Sequence, residues 1–176
     1  MIVRYLLIAA LCAVLTPPAF AQSVRTPAGA ANLCAEYPWA CDAAGSTSAL
    51  QGAALFKLAR SVNRDVNHRI KDLGDRAQYG VAEKWTLPVN AGDCEDFALL
   101  KMRLLIDKGV SPRDLRLAQV MKRNVPSHVV LLLRTGPSEE YVLDSLSSKV
   151  TRRSASNYVF LKQQNRTDPA QWEAGI

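Results

Sequence analysis

The sequence predicts an α+β fold, helices followed by a run of strands, and three observations carry that prediction. Apolar residues recur at helical spacing through Leu55, Leu58, Val62, Val66 and Ile70, and again through Phe97, Leu100, Met102, Leu104 and Leu105. Three alternating or continuous apolar runs of strand length follow between Leu115 and Leu146. The 176-residue chain has the size of one domain and is long enough to bury a core.

Residues 1–21 stand apart from that domain. Arg4 supplies an early positive charge, Tyr5 to Leu15 an apolar run, Pro17-Pro18 a break, and Ala19-Phe20-Ala21 a small-x-small cleavage site, the pattern of a secretory signal peptide. The run is short for a membrane span, so an integral membrane protein is not expected. Leu11 is not the small residue that lipoprotein processing prefers before a cysteine, which discounts Cys12 as a lipidation site. The formal net charge is +6, and loss of Arg4 with the signal leaves +5. The basic residues are scattered, and pairs such as Lys122-Arg123 and Arg152-Arg153 lack interleaved aromatics, which argues against nucleic acid as a partner.

Residues 22–51 are rich in Ala, Gly, Ser and Pro and are expected to be mostly irregular. Within them Cys34 and Cys41 are close enough to close a small loop in an oxidising compartment. Cys94 is then left over. In an exported protein such a thiol reads as a nucleophile, an inert buried cysteine or half of an intermolecular disulfide. Ala53 to Ile70 forms the first helix, with Arg60, Asn63, Arg64, Asn67, His68 and Lys71 on its polar side. His68 stands among Arg and Lys there, a poor setting for a catalytic base. From Asp72 to Ala91 the chain reads as a polar connection containing Tyr79, Trp85 and Pro88. Three readings of Trp85 stand open: a cleft wall, an indole N–H donor to an oxyanion, or a ring packed under the loop.

Gly92-Asp93-Cys94-Glu95-Asp96-Phe97-Ala98 opens the second helix, which runs to Lys108 and is stopped by Gly109. Asp93 and Asp96 have the spacing of a capping box. Cys94 therefore sits in the first turn, where backbone N–H groups and the positive end of the helix dipole favour thiolate. Asp93, Glu95 and Asp96 oppose that ionisation unless a metal ion or an imidazolium offsets their charge.

Ser111-Pro112-Arg113-Asp114 is a turn with Pro in the first helical position. Strands are expected at Leu115 to Lys122, His128 to Leu133 and Tyr141 to Leu146, with Thr135-Gly136-Pro137-Ser138 turning between the last two. Reversal near Gly136 brings Asp144 opposite His128 to within a residue or two. An Asp in an apolar strand demands a partner. Orienting an imidazole through its Nδ1–H is one such partnership, and turn hydrogen bonds at a strand end are another. Tyr158-Val159-Phe160-Leu161 reads as a last strand and 166–176 as a loosely held tail.

Asn90-Ala91-Gly92-Asp93-Cys94-Glu95-Asp96-Phe97-Ala98, followed by Ser127-His128-Val129-Val130-Leu131 and Tyr141-Val142-Leu143-Asp144-Ser145, resembles the bacterial transglutaminase-like cysteine proteinases, the LapG-type periplasmic proteases. The resemblance runs from about Val62 to Phe160 and takes in Asn63 to Ile70 and Trp85. It implies a papain/transglutaminase-like cysteine proteinase fold over residues 52–165, in which a helix bearing the Cys packs on an antiparallel sheet bearing His and Asp. It implies Cys94 as nucleophile, His128 as general acid and base, and Asp144 as the residue orienting His128. It further implies Ca2+ beside the active site, with Asp93, Glu95 and Asp96 matching the acidic residues that serve there. The substrate it implies is a periplasmic segment of a large surface adhesin, whose release detaches biofilm cells, and the partner an inner-membrane regulatory receptor. Acyl transfer to an amine, as in transglutaminases, is a second reading of the same chemistry. A non-enzymatic exported module that binds calcium or a partner is the reading without chemistry.

Overall fold

The computed structural model describes residues 23–45 and 48–175, so the expected signal peptide at 1–21 lies outside the described residues. In chain order the elements are β1 (Ser23–Val24), α1 (Leu33–Glu36), α2 (Gly52–Arg69), β2 (Lys71–Asp72), α3 (Asp75–Tyr79), β3 (Ala91–Gly92) and α4 (Cys94–Asp107), then β4 (Leu115–Lys122), β5 (Val125–Gly136), β6 (Glu139–Asp144), β7 (Ser147–Arg152), β8 (Val159–Gln164) and β9 (Trp172–Ala174). Seven strands make one antiparallel sheet in the order β1-β9-β8-β4-β5-β6-β7. No helix among the described residues is long and apolar enough to cross a membrane.

Helices α2 and α4 cover one face of the sheet because each carries a continuous apolar stripe. Leu55, Ala59, Val62 and Val66 of α2 and Phe97, Leu99, Met102 and Leu105 of α4 are buried against Leu117, Val129, Leu131, Leu133 and Leu143 of the strands. Helix α4 ends where expected: Gly109 adopts φ 83°, a left-handed conformation that costs glycine nothing, and Val110 N–H returns to Leu105 O at 3.0 Å. The opposite face of the sheet buries Ala118, Val120, Val130, Leu132 and Val142. It is covered by the segment leading from β7, at one edge, to β8 beside β4, with Tyr158 and Phe160 packed on that cluster.

Several expectations meet a different structure. The stretch 22–51, expected to be mostly irregular, holds α1 and two one-turn 3-10 helices among its described residues and is tied by the Cys34–Cys41 disulfide. Of the stretch 166–176, expected to be a loose tail, the described residues 166–175 are held, since β9 pairs with both β8 and β1 and buries Trp172 edge-on to Trp85 at 6.2 Å. That contact also selects among the readings of Trp85, which is 4% exposed and packs under its loop. The third strand stops at Asp144, two residues early, because Ser145 and Leu146 turn the chain into β7. Strand β7 was not foreseen, since Ser147-Ser148-Lys149-Val150-Thr151-Arg152 has too few apolar residues to signal one. Asn63, expected on the solvated side of α2, is fully buried.

A buried ionic cluster joins the outer face of the sheet to the C-terminal segment. Glu140 on β6 accepts from Arg116 on β4 at 2.9 Å, Arg153 at 2.8 Å and Arg166 at 2.8 Å, while Arg116 also reaches Glu173 on β9 at 3.1 Å. Burial pushes the Glu140 carboxyl up, but the guanidinium charges prevail and hold it below its ordinary value. Glu140→Gln should therefore cost roughly 3 kcal/mol in urea unfolding, the scale for breaking a buried pair. The sign in pH follows from the lowered value: the carboxylate's contribution is complete above the unfolded value of about 4.5 and lost as pH falls through the folded one. Wild type should thus lose its advantage over the Gln variant on acidification below that point.

Candidate active site

The parallel pairing of Lys71 with Ala91 and Asp72 with Gly92 closes the loop 73–90 at its base and delivers the chain to α4. Gly92 is required there by space. A Cβ would lie 2.5 Å from Asp96 Oδ2 and 2.7 Å from Asp96 Cβ, so a side chain at this position would push Asp96 away from the helix entry. Cys94 is the first residue of α4, as expected. The capping box is not formed as written: the Asp93 side chain makes no cap bond, and its Oδ2 accepts from Asp75 N–H at 3.3 Å. The carboxylate is drawn across to the N-terminus of α3, where free backbone donors compete for it.

Cys94 is a free, half-buried thiol. It donates to Glu95 Oε2 at 3.1 Å, and its Sγ accepts from Val129 N–H at 3.3 Å. Burial raises its pKa well above the ordinary range, the charge and hydrogen bond of Glu95 add to this, and Val129 N–H opposes it. Burial and Glu95 thus favour the thiol over the thiolate, and the sulfur is turned toward Glu95. It lies against the backbone of the residue that follows His128, with no Cys94–His128 hydrogen bond among the described residues.

His128 and Asp144 are brought together as the hairpin predicted. Leu131 pairs with Leu143, so Asp144 comes one step on, beside Val130, and His128 is its diagonal neighbour. His128 Nε2 lies 2.8 Å from Asp144 Oδ1, and both side chains are buried. The contact uses Nε2 and not the expected Nδ1, because a diagonal offset is bridged by the ring nitrogen farther from the backbone. Asp144 Oδ1 also accepts from Leu146 N–H at 2.9 Å and Oδ2 from Tyr158 Oη–H at 2.6 Å. Burial pushes Asp144 up, and these bonds overcome it, holding the carboxyl down at about 2. The turn hydrogen bond considered for this Asp is thus present beside the imidazole bond.

Behind the turn, Asn67 Nδ2 donates to Asp144 O at 2.8 Å and to Ser147 O at 3.1 Å, and Asn63 Nδ2 to Ser147 O at 2.8 Å. These amides fasten the Asp144 turn to α2. Lys101 of α4 is fully buried, and its Nζ makes no hydrogen bond and lies 5.7 Å from the Phe97 ring centroid. Burial lowers its pKa to about 7 against the attraction of Asp144.

Five carboxyl groups gather beside the thiol. Asp75, Asp93 and Asp96 each bring an oxygen within 4.8 Å of the others, and Asp75, Glu83 and Glu95 do the same. The expected trio Asp93, Glu95 and Asp96 is thus divided, with Asp75 common to both groups. Asp75 Oδ1, Asp93 Oδ1, Glu95 Oε1 and Asp96 Oδ2 are buried without a hydrogen-bond donor. Burial, with neighbouring Asp charges, raises Asp75 above its ordinary value, Glu95 to about 9 and Asp96 to about 7. Buried acceptor oxygens with no donor are the setting of a hard cation. The residues fit Ca2+, and in the group Asp75, Asp93 and Asp96 every member carries one such oxygen. Asp75 escaped the sequence reading because it lies 18 residues before Asp93 and only the β2–β3 pairing folds it back. Tyr158, Asn63 and Asn67 left no signal beyond an apolar run and a polar helix face.

A family model described as bacterial transglutaminase-like cysteine proteinase (BTLCP) matches residues 20–174. Among solved structures the chain is similar to calcium-bound LapG of Legionella pneumophila, at 28% identity and TM-score 0.56 over 65% of this chain and 67% of that one. It is similar also to the EGTA-treated form, at 29% identity and TM-score 0.55 over 65% and 66%. No curated protein matches the chain significantly.

Asn67→Ala strips two amide bonds from the Asp144 turn and leaves the Asp144 carbonyl without its side-chain donor, while Asn63 still reaches Ser147 O. It should cost about 2 kcal/mol in urea unfolding. A midpoint unchanged from wild type would show that the turn holds without α2.

Proposed function

The chain belongs to the bacterial transglutaminase-like cysteine proteinases and is a cysteine peptidase, and on that premise we propose that it is an exported endopeptidase whose Cys94, His128 and Asp144 cleave peptide bonds through a thioester. The observation that carries the reading is the buried His128–Asp144 bond at 2.8 Å, with the Cys94 sulfur held 3.3 Å from Val129 N, one residue further along the strand.

The division of labour follows from the geometry. Asp144, bound through both oxygens, stays ionised and fixes the imidazole by Nε2, which leaves Nδ1 as the nitrogen that exchanges protons with thiol and substrate. Cys94, as thiolate, attacks the peptide carbonyl carbon; the C–S bond forms and the π electrons move to oxygen. The N–H groups in the first turn of α4, that of Cys94 included, stabilise the oxyanion. The oxyanion collapses, the C–N bond breaks, and protonated His128 gives its Nδ1 proton to the leaving amine. Neutral His128 then takes a proton from water, whose oxygen attacks the thioester and expels the Cys94 thiolate.

Calcium belongs to this reading, with Asp75, Asp93 and Asp96 as its holders; bound there, its positive charge offsets the carboxylates that keep Cys94 protonated. The buried acceptor oxygens support this, as do Legionella structures described as calcium-bound and EGTA-treated. The Cys34–Cys41 disulfide supports a periplasmic location, where such bonds persist. The substrate is a protein, and the reading extends to the periplasmic segment of a large surface adhesin, with biofilm attachment as the consequence and an inner-membrane receptor as regulator.

Incubation with the N-terminal segment of such an adhesin should yield two fragments. Cys94→Ala and His128→Ala should yield none, and Asp144→Asn should be at least ~100-fold slower; cleavage by the Cys94 or His128 variant would refute the assignment. Calcium at a hundredfold over its Kd should stabilise the protein by about 2.7 kcal/mol. The corresponding rise in Tm should disappear in Asp75→Asn and Asp96→Asn, and equal melting in calcium and in EGTA would remove the metal from the site.

A further inference from the structure

A carboxylate that orients an imidazole has one soft degree of freedom. Rotation about χ2 is broad and nearly two-fold, so a bond to one oxygen alone does not fix the plane of the group. Asp144 Oδ1 takes both His128 Nε2 and Leu146 N–H, at 2.8 and 2.9 Å. Its Oδ2 takes a single partner, the hydroxyl of Tyr158 at 2.6 Å.

Tyr158 comes from none of the elements that carry Cys94, His128 or Asp144. It ends the segment that leads from β7 to β8 over the outer face of the sheet. Its ring stacks on the His128 imidazole, with centroids 5.9 Å apart and planes 24° apart. Its oxygen also accepts from Lys122 Nζ at 3.0 Å, and that ammonium lies 4.7 Å from the ring centroid. An ammonium has no lone pair to accept a proton, so the single hydroxyl proton must point at Asp144. A cavity of about 250 Å3, lined in part by Lys122, Asp144, Ser147, Lys149 and Tyr158, lies beside this contact.

We propose that Tyr158 is a positioning residue of the active site: its hydroxyl, oriented by Lys122, locks the Asp144 carboxylate, and its ring covers the His128–Asp144 bond. Burial, then the Asp144 carboxylate, raises the Tyr158 pKa, which keeps the hydroxyl a donor. The remaining group facing Asp144 is Lys101, from the core side, and it makes no hydrogen bond that could replace that of Tyr158. Tyr158 thus does for the carboxylate what the carboxylate does for the imidazole.

This inference rests on the reading of Cys94, His128 and Asp144 as catalytic, and the experiment separates the two. The full chain, with calcium present at pH 7, is alkylated with iodoacetamide, and the rate at Cys94 is followed by mass spectrometry of its peptide. In parallel, the downfield proton on His128 Nε2 is observed by NMR; the chain has only two histidines, and His68 is exposed. Tyr158→Phe keeps the ring and removes only the hydroxyl. It should slow alkylation roughly tenfold, the scale of a slightly misplaced catalytic group, and lose the downfield resonance to exchange, with Tm close to wild type. Lys122→Met, which leaves Tyr158 in place but removes the group that orients its proton, should show a smaller loss of the same kind. A Tyr158→Phe protein with the wild-type rate and resonance, beside slow His128→Ala and Asp144→Asn proteins, overturns the role of Tyr158 and leaves the triad standing. Wild-type rates in His128→Ala and Asp144→Asn overturn both.

Discussion

A buried carboxylate has to be satisfied on each oxygen, and in this protein the satisfaction of Asp144 organises the sheet around it. The bond to His128 demands the Leu131–Leu143 register of β5 and β6. The bond from Leu146 N–H demands that the chain turn at once into β7. The bond from Tyr158 demands that the connection to β8 pass over the outer face. A slip of one residue in the hairpin would carry Asp144 to the helix-covered face and leave an uncompensated charge in the core, so the register is fixed by electrostatics as well as by apolar patterning.

The same economy of charge governs the other side of the helix entry, where it remains unbalanced. Asp75, Glu83, Asp93, Glu95 and Asp96 converge, and among the described residues no guanidinium pairs with them as those of Arg116 and Arg153 pair with Glu140 on the outer face. Folding alone favours either protonated carboxyls or a bound cation. Both conditions bear on the neighbouring thiol, because Cys94 donates to Glu95. The reactivity of the nucleophile is thereby coupled to whatever occupies the acidic cluster, a consequence of placing the cysteine between an aspartate and a glutamate in the first turn of a helix.

Much of the architecture was legible in the sequence because it depends on local rules. Apolar residues at three- and four-residue spacing marked α2 and α4, Gly109 marked the end of α4, and alternation with a Gly-Pro turn marked the β5–β6 hairpin. The meeting of His128 with Asp144 followed from that hairpin alone. Strand β7 and strand β9 carried no such pattern. Six and three residues long, with few apolar side chains, they exist because neighbouring strands offer unpaired backbone groups, and Trp172 is fixed by its partner Trp85, 87 residues away in the chain.

The sequence by itself therefore determined the elements, the position of Cys94 in the first turn of its helix, and the pair His128 and Asp144, all of which arise within short stretches of chain. Tertiary structure alone decided which imidazole nitrogen meets Asp144, that the Asp93 carboxylate leaves the cap for Asp75, and that Tyr158 and Asn67 close around the Asp144 turn. Each of these is a hydrogen bond between separate elements or turns of the fold. Such a bond is chosen by the geometry of packed elements and by competition among donors, and no spacing of residue types encodes it.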